Sequence, residues 1–436
     1  MSFLNIGVAG LGNVGASLVD LLEKQQQLLN RRCGHNLKIT NVSARQRSLD
    51  RGLDLSSITW CENPLDIVNA DDVDVICELI GGDSGIALDL SRKALSAGKH
   101  LVTANKAMLA VHGNELARLA EENKVQLRYE AAIAGGIPII KSIREGLSAN
   151  SISEIQGILN GTCNYILTKM YDAVVEGEVA KFDEVLKEAQ NQGYAESDPS
   201  TDIDGIDAAH KLSILTSLAF GAPVDFDSVH IEGIRHISDM DVSYAFELGY
   251  RVKLLAISRK NEGGIEQRVH PCLIPSRDSL ARVDGVNNAI VVKGNTVGTT
   301  IYEGPGAGGD ATASAVISDI VDIARGQFLD TFNIPLKLLE ECKPFPINNV
   351  IGAYYLRLMV LDQPGVIADI TACLREQNVS VESMIQRPKN SDDTVPVVLT
   401  THQTEEETFQ RALKAISRYD VVVEDPMMIR IEDTRE

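Results

Sequence analysis

The spacing of apolar and polar residues divides the chain into three parts. Up to about residue 134, short apolar runs such as Phe3–Gly10 alternate with stretches that carry apolar residues at helical spacing, such as residues 14–32. Strands that alternate with helices are typical of a parallel, doubly wound sheet. The pattern therefore predicts an α/β domain over residues 1–134.

After residue 135 the pattern changes. A strand, a polar turn and a helix follow one another from residue 151, and strand-like segments occupy residues 252–260, 265–274 and 288–294. This order predicts an α+β domain with an open mixed sheet over residues 135–326. Its final stretch, residues 304–326, is a glycine loop that opens an alanine-rich helix, which we expect to pack back on the first domain.

The remaining residues predict a linker and a small module. Three prolines interrupt residues 327–349, which we interpret as the linker. Residues 350–436 follow the order strand–helix–strand–strand–helix–strand, which is typical of a separate ferredoxin-like domain.

Composition and charge exclude several classes of partner. The chain has 436 residues and a net charge of −20, which argues against nucleic acids and anionic membrane surfaces as partners. No apolar run reaches the roughly 20 residues that a membrane helix needs, and the first residues do not resemble a signal peptide. The seven cysteines form no CxxC pair. We therefore predict a cytoplasmic protein with reduced thiols.

The glycine motif that follows the first apolar run points to a dinucleotide. A GxGxxG pattern between a strand and a helix allows backbone to approach a pyrophosphate, although an ordinary glycine-rich turn is the alternative. We expect a Rossmann-type NAD(P) site that uses Gly10, Gly12, Asn13, Val14 and Gly15. The second strand ends without the acidic residue that binds the ribose of NAD. Arg45 and Arg47 stand there instead and favour NADP over NAD.

Two lysines are candidates for the chemistry. Lys106 lies just past the carboxyl end of a predicted parallel strand, where ligands bind in open α/β sheets. Asp207 and Lys211 are four residues apart on a predicted helix and share a face. The pair is either a surface ion pair or a lysine at the edge of a cleft, and the residues alone leave both readings open.

The motifs together resemble homoserine dehydrogenase over essentially the whole chain. The segments GLGNVG, TANKAM, EAAIAGGIPII, GILNGTCNYIL, GYAESDPSTDIDGIDAAHK and GPGAGG occur in the family's order, and DQPGV near residue 362 looks like the loop of an ACT domain. With no kinase-like segment before residue 1, the resemblance is to the monofunctional, feedback-regulated bacterial form. It implies reversible reduction of L-aspartate 4-semialdehyde to L-homoserine with NAD(P)H, in threonine, methionine and isoleucine biosynthesis.

The resemblance also implies roles for individual residues. Lys211 would be the proton donor and acceptor, with Lys106 as a second candidate near the nicotinamide. The substrate would be bound by Glu196, Asp207, Asp202, Gly161, Thr162 and Tyr194, and the nicotinamide end would be lined by Gly193, Gly306 and Gly308. Asp198 and Asp204 would remain loop and helix-cap residues. A sodium-like monovalent cation would bind carbonyl oxygens of Glu130, Ile133, Gly135 and Ile137.

Regulation and assembly are implied less directly. Threonine would be the inhibitor, bound at the ACT loop through Asp362, Gly365 and Val366, and a homodimer or homotetramer is expected. On this view, a chain truncated near residue 348 should stay active. The alternatives are another NADP-dependent amino-acid semialdehyde dehydrogenase, and a non-catalytic NADP- and amino-acid-sensing regulator.

Overall fold

The structure is a computed structural model that describes residues 2–386 and 394–433. Its first sheet has the strand order β3-β2-β1-β4-β5-β6, with all neighbours parallel. This is the order of a dinucleotide-binding doubly wound sheet, so the predicted fold class is confirmed. The strands are β1 (Phe3–Ala9), β2 (Asn36–Ser43), β3 (Thr59–Trp60), β4 (Val75–Glu78), β5 (His100–Thr103) and β6 (Leu127–Arg128).

Helices cover both faces of this sheet. They are α1 (Asn13–Lys24), α2 (Gln26–Cys33), α3 (Leu65–Asn69), α4 (Ile86–Ser96) and α5 (Lys106–Glu122). The single helix expected over residues 14–32 is wrong, because it is broken at Gln25. The break falls in the polar run of residues 25–27, which offers no apolar side chain to the core.

The second part of the chain, residues 135–326, contains seven α-helices. They are α6 (Ile139–Lys141), α7 (Gly161–Glu176), α8 (Phe182–Asn191), α9 (Ser200–Ile203), α10 (Ile206–Phe220), α11 (Asp239–Glu247) and α12 (Gly309–Ala324). Helix α10 is buried along nearly its whole length. Helix α12 packs against α1 of the first sheet, and residues of both helices share one apolar core.

The remaining strands form a mixed sheet that runs across the rest of the molecule. From the second part come β7 (Ile152–Ile158), β8 (His230–Ile231), β9 (Tyr250–Asn261), β10 (Gly264–Pro275), β11 (Asn287–Gly294) and β12 (Gly298–Pro305). The C-terminal part adds β13 (Ile351–Leu361), α13 (Val366–Glu376), β14 (Val381–Gln386), β15 (Thr394–Thr401), β16 (Thr404–Glu405), α14 (Glu406–Ile416) and β17 (Met427–Ile431).

The C-terminal module has the predicted ferredoxin-like order, and its strands continue the sheet of the second part of the chain. In the described residues, one eleven-stranded sheet runs β12-β11-β7-β9-β10-β17-β13-β15-β14, and its other two strands lie off this path, with β8 paired to β10 and β16 paired to β13. The last strand, β17, pairs with β13 on one side and in parallel with β10 on the other. This pairing was not predicted, because the local pattern of residues 350–436 carries no information about β10. Among the described residues, none of the helices has the length and apolar character needed to cross a membrane.

Candidate active site

The glycine motif forms the turn between β1 and α1. A Cβ atom at Gly10 would clash with the carbonyl of Leu79, and one at Gly15 would clash with the carbonyl of Gly10, so both positions require glycine. Gly12 faces open space at the start of α1. The three glycines therefore permit a tight turn, a close approach of a pyrophosphate and close helix packing, in that order. Directly after Gly12, α1 begins with Asn13 and Val14, and the free N–H groups of its first turn lie beside the glycine turn.

The end of β2 supplies the arginines expected at the adenosine end. Arg45 and Arg47 are exposed just past β2, and the Arg47 guanidinium lies 5.8 Å from the centre of the Trp60 ring. Sequence reasoning missed Arg51, which lies 5.8 Å from the same ring and whose Nε donates to the carbonyl of Leu11 at 2.9 Å. No local signal indicated Arg51, because its contact depends on the path of the loop after β2.

The glycine loop before α12 closes over the phosphate end. Gly308 precedes the first residue of α12, and Gly309 lies against Asn13 and Ser17 of α1. Gly306 packs on Asn288. The second part of the chain therefore reaches the nucleotide turn, with Gly306 and Gly308 beside it.

The active-site cluster comprises five residues: Lys106, Asn160, Asp202, Asp207 and Lys211. Lys211 Nζ donates to Asp207 Oδ2 at 2.7 Å and to the carbonyl of Leu159 at 2.7 Å. Lys106 Nζ lies 3.3 Å from Asp207 Oδ1. One buried carboxylate thus lies between two lysines that come from different parts of the chain.

Local structure explains why these side chains converge. Asn105 caps α5 by accepting the N–H of Met108, which places Lys106 in the first helical turn, where β5 has ended. Gly205 has a φ of +84° and begins α10, so Asp207 lies in its first turn and Lys211 one turn later. The cleft reading of the Asp207–Lys211 pair is favoured over the surface reading, because both residues are buried.

Asn160 connects the two carboxylates and was missed from the sequence. Its Oδ1 caps α7 by accepting the N–H of Cys163, and its Nδ2 donates to Asp202 Oδ1 at 2.8 Å and Asp207 Oδ2 at 2.9 Å. An asparagine directly before a helix is a preferred cap, so its position before Gly161 was a usable signal. Thr162 Oγ1 lies 3.1 Å from Asp202 Oδ2 and 2.8 Å from the carbonyl of Tyr194.

Charge interactions within the cluster shift the pKa values of Asp207 and Lys106. Burial works to raise the pKa of Asp207, but the charges of Lys211 and Lys106 outweigh it and hold that pKa below its usual range. The charge of Asp207 in turn raises the pKa of Lys106. Asp207 is therefore an anion at neutral pH, and Lys106 beside it is a cation.

The other sequence candidates lie at the rim. Glu196 is exposed and acts on Lys106 through its charge, and Tyr194, also exposed, packs on the ring of Tyr165 at 5.0 Å between centroids. Gly193 has a φ of +77° in the same loop. Asp198 accepts the N–H of Ser200, and Asp204 pairs with Arg235, as loop and turn residues would.

The loop expected to hold a cation lies between β6 and α6. Glu130, Ile133, Gly135 and Ile137 are on it, and Gly135 has a φ of +53°. The Glu130 carboxylate accepts the N–H groups of Ile140 and Lys141, while burial and the neighbouring Asp319 raise its pKa to about 7. No group of three or more metal-binding side chains occurs in residues 2–386 and 394–433.

Comparison with known proteins gives consistent matches along the chain. The family described as "Homoserine dehydrogenase" matches residues 138–321, "Homoserine dehydrogenase, NAD binding domain" matches residues 10–130, and "ACT domain" matches residues 354–419. The homoserine dehydrogenases of Neisseria gonorrhoeae and Pseudomonas aeruginosa are each 43% identical, over 100% and 99% of both chains respectively.

Solved structures that resemble this chain come from proteins of the same name. The crystal structure of a homoserine dehydrogenase from Thiobacillus denitrificans is 43% identical over 99% of both chains, with a TM-score of 0.93. A hyperthermophilic archaeal homoserine dehydrogenase in complex with NADPH is 29% identical, covers 76% of this chain and 98% of its own, and has a TM-score of 0.62.

Proposed function

The chain belongs to the homoserine dehydrogenase family, oxidoreductases that act on a CH–OH group, and we propose that the active-site cluster carries out the reaction. The reaction is the reversible reduction of L-aspartate 4-semialdehyde to L-homoserine. The observation that supports this placement is the buried carboxylate of Asp207 between Lys211 and Lys106. Lys106 of the cluster lies just past the carboxyl end of β5, at the edge of the parallel sheet where ligands bind.

Lys211 is the proposed proton donor. When bound, the reduced nicotinamide supplies the hydride that the aldehyde carbon accepts. The carbonyl oxygen gains negative charge as this happens and needs a proton. Lys211 Nζ carries three hydrogens, of which Leu159 and Asp207 engage two, so the third can be directed at that oxygen. In the reverse direction the same nitrogen takes the proton back, and Lys106 is the second candidate.

The substrate's amino-acid head is bound by the rest of the site. Asp207 and Glu196 bind its ammonium and hydroxyl groups, and Asp202 holds Asn160 and Thr162 in position. Gly161 and Thr162 form the first turn of α7, whose free N–H groups suit the substrate carboxylate. Tyr194 lines this pocket, and Gly193, Gly306 and Gly308 line the nicotinamide end.

NADP is the proposed preferred cofactor. The residues fit a 2′-phosphate: β2 ends at Ser43 without an acidic residue, and Arg45 and Arg47 are exposed beyond it. The archaeal relative in complex with NADPH agrees with this preference. A monovalent cation, with sodium as the expected ion, is proposed on the carbonyls of Glu130, Ile133, Gly135 and Ile137.

Regulation and assembly complete the proposal. The ACT module would bind threonine at Asp362, Gly365 and Val366, where Gly365 has a φ of +98° and Val366 begins α13. Pairing of second-domain sheets and of ACT modules would give a homodimer or homotetramer in the cytoplasm. The domain boundaries proposed from the sequence, 1–134, 135–326, 327–349 and 350–436, are kept.

Initial rates test the proposal directly. The purified protein should oxidise NADPH when aspartate 4-semialdehyde is added, and threonine should lower that rate. NADH is expected to support a lower kcat/KM. Absence of turnover with this substrate, together with turnover of another amino-acid semialdehyde, would favour the alternative dehydrogenase.

A further inference from the structure

The C-terminal module holds a segment of the second domain through Arg430. Its Nη1 and Nη2 donate to the two carboxylate oxygens of Glu232 at 2.8 and 2.9 Å, and its Nε and Nη2 donate to Glu406 of α14 at 3.0 and 2.7 Å. Arg430 is 4% exposed. Such two-pronged contacts fix the orientation of both partners, so Glu232 has one well-defined position.

Glu232 lies next to the backbone that contacts residues 203–205. These residues join Asp202 to Asp207, and we call the segment 202–207 the substrate loop. Its N–H donates to the carbonyl of Val269 at 2.8 Å, and the N–H of Ile234 donates to the carbonyl of Ile203 at 2.8 Å. A Cβ atom at Gly233 between them would clash with the backbone of Ile203 and Asp204. Residues 232–234 therefore form a backbone support directly under residues 203–205.

This supported turn separates Asp202 from Asp207. Both carboxylates accept a hydrogen bond from the same Asn160 Nδ2, at 2.8 and 2.9 Å, so a displacement of the turn would separate two groups that share one donor. Asp207 also holds both lysines. The position of residues 203–205 thus determines the geometry of the active-site cluster.

We propose that Arg430 and Glu232 are positioning residues for the substrate loop, through which the C-terminal module sets the spacing of Asp202 and Asp207. The inference rests on the proposed function of those carboxylates. It changes one expectation from the sequence: a chain that ends near residue 348 would lack Arg430 and leave Glu232 with His230, at 2.7 Å, as its remaining side-chain partner among the described residues. We now expect such a chain to bind substrate poorly.

A second contact between the module and the domain provides a matched control. Arg357 Nε donates to Asp241 at 2.7 Å, and Tyr355 donates to the same carboxylate at 3.1 Å. Asp241 belongs to the capping box of α11 with Ser238. Arg357 therefore also joins the module to the domain, but its partner lies on α11, and in the described part of the chain Asp241 forms its hydrogen bonds with Ser238, Tyr355 and Arg357 and none with residues 203–205.

The experiment compares full-length Arg430→Met, Glu232→Gln and Arg357→Met. We expect Arg430→Met to raise the KM for aspartate semialdehyde at least tenfold, with the KM for NADPH within twofold. Glu232→Gln keeps a hydrogen-bonding side chain and should give a smaller rise. Arg357→Met should lower Tm while leaving both KM values within twofold. Unchanged KM in the first two variants, or an equal rise in Arg357→Met, would overturn the proposal.

Hydrogen exchange provides a readout that does not depend on activity. The N–H groups of Gly205 and Ile234 should exchange at least tenfold faster in Arg430→Met, and at the wild-type rate in Arg357→Met. Wild-type exchange in Arg430→Met would contradict the support of the turn. Faster exchange together with an inactive wild-type protein would instead locate the failure in the proposed function.

Discussion

Among the described residues, two of the buried groups of ion pairs differ in their cations. In the active-site cluster, Asp207 is held by two lysines. In a second cluster, arginines hold carboxylates on both sides of the junction between β10 and β17. We call it the docking cluster, and its six residues are Glu232, Glu266, Arg268, Glu406, Arg430 and Glu432. Arg268, for example, contacts Glu266 at 2.5 Å and Glu432 at 2.6 Å.

The difference follows from what each cation can do. An arginine remains protonated at all ordinary pH values and binds carboxylates with a rigid fork. The carboxylates Glu432 and Glu266 raise the pKa of Arg268 further, against the effect of burial. A lysine carries a compact charge that it can give up as a proton. Arginines therefore suit a permanent contact between domains, and lysines suit a site at which a proton moves.

The largest expected effect comes from exchanging the cation in the active-site cluster. Lys211→Arg keeps the charge beside Asp207 but cannot release a proton, so kcat should fall by about 10² to 10⁴, as it should in Lys211→Met. NADPH affinity should stay near the wild-type value in both. Steady-state rates and NADPH titration measure these quantities, with Lys93→Met on α4 as a control. A kcat for Lys211→Arg within tenfold of wild type would assign the proton to Lys106.

The second prediction concerns Arg268 of the docking cluster, whose loss should affect stability and leave kcat intact. Arg268→Met leaves Glu266 and Glu432 with Arg259 as their only cation among the described residues, at 3.7 and 3.1 Å, and should lower the free energy of unfolding by about 1.5–3 kcal/mol. Its kcat should stay within twofold of wild type. Denaturant unfolding measures the first quantity. Arg118→Met, which removes an exposed pair with Glu122, should cost less than about 1 kcal/mol. Equal losses in the two variants would remove the contrast between the clusters.

A third prediction extends the comparison to an exposed arginine. Arg45 has no enclosing carboxylates, so its guanidinium is available to the 2′-phosphate. Contacts to a charged group contribute about 1.5–3 kcal/mol, and Arg45→Ala should therefore lower kcat/KM for NADPH roughly tenfold or more. NADH is the internal control, since it lacks the phosphate. An equal fall with both cofactors would place Arg45 elsewhere in the mechanism.

The smallest expected effect concerns Glu130, a buried carboxylate whose neighbour is the carboxylate of Asp319. Burial and Asp319 raise the pKa of Glu130 in the folded state to about 7, above its ordinary 4.5. The folded chain therefore holds this proton more tightly than the unfolded chain, and the contribution of Glu130 to stability is lost as the pH rises through about 7. Glu130→Gln should flatten this part of the stability profile.

Denaturant unfolding between about pH 5 and pH 8 tests the Glu130 prediction. Sodium, compared with a tetraalkylammonium salt, should also flatten the wild-type profile, because a cation on the Glu130 carbonyl favours the ionised carboxylate. Identical profiles in the two salts would argue against the cation site.

Short-range patterns predicted the parts of the molecule that local chemistry determines. The glycine turn, the alternating first domain and the four-residue spacing of Asp207 and Lys211 all follow from neighbours in the sequence. The contact of Lys106 with Asp207 joins residues about a hundred positions apart, and only the fold brings them together. The pairing of β10 with β17 could not be predicted either, because the spacing of apolar residues in each strand indicates a strand but not its partner.

The residues missed in the site show the same limit. Asn160 was recognisable as a helix cap, but its link between Asp202 and Asp207 required the position of α10 relative to α7. Arg51 lies in an irregular loop where no periodicity guides prediction. The ion pair of Glu232 and Arg430 spans nearly two hundred residues.

The position of Trp60 gives the protein a built-in optical label. It is the chain's one tryptophan, and its ring centre lies 5.8 Å from the guanidinium groups of both Arg47 and Arg51. Indole fluorescence therefore originates at the proposed adenosine end of the nucleotide site and from no other part of the chain. Quenching of that emission would report cofactor occupancy in real time, even while the C-terminal module is altered.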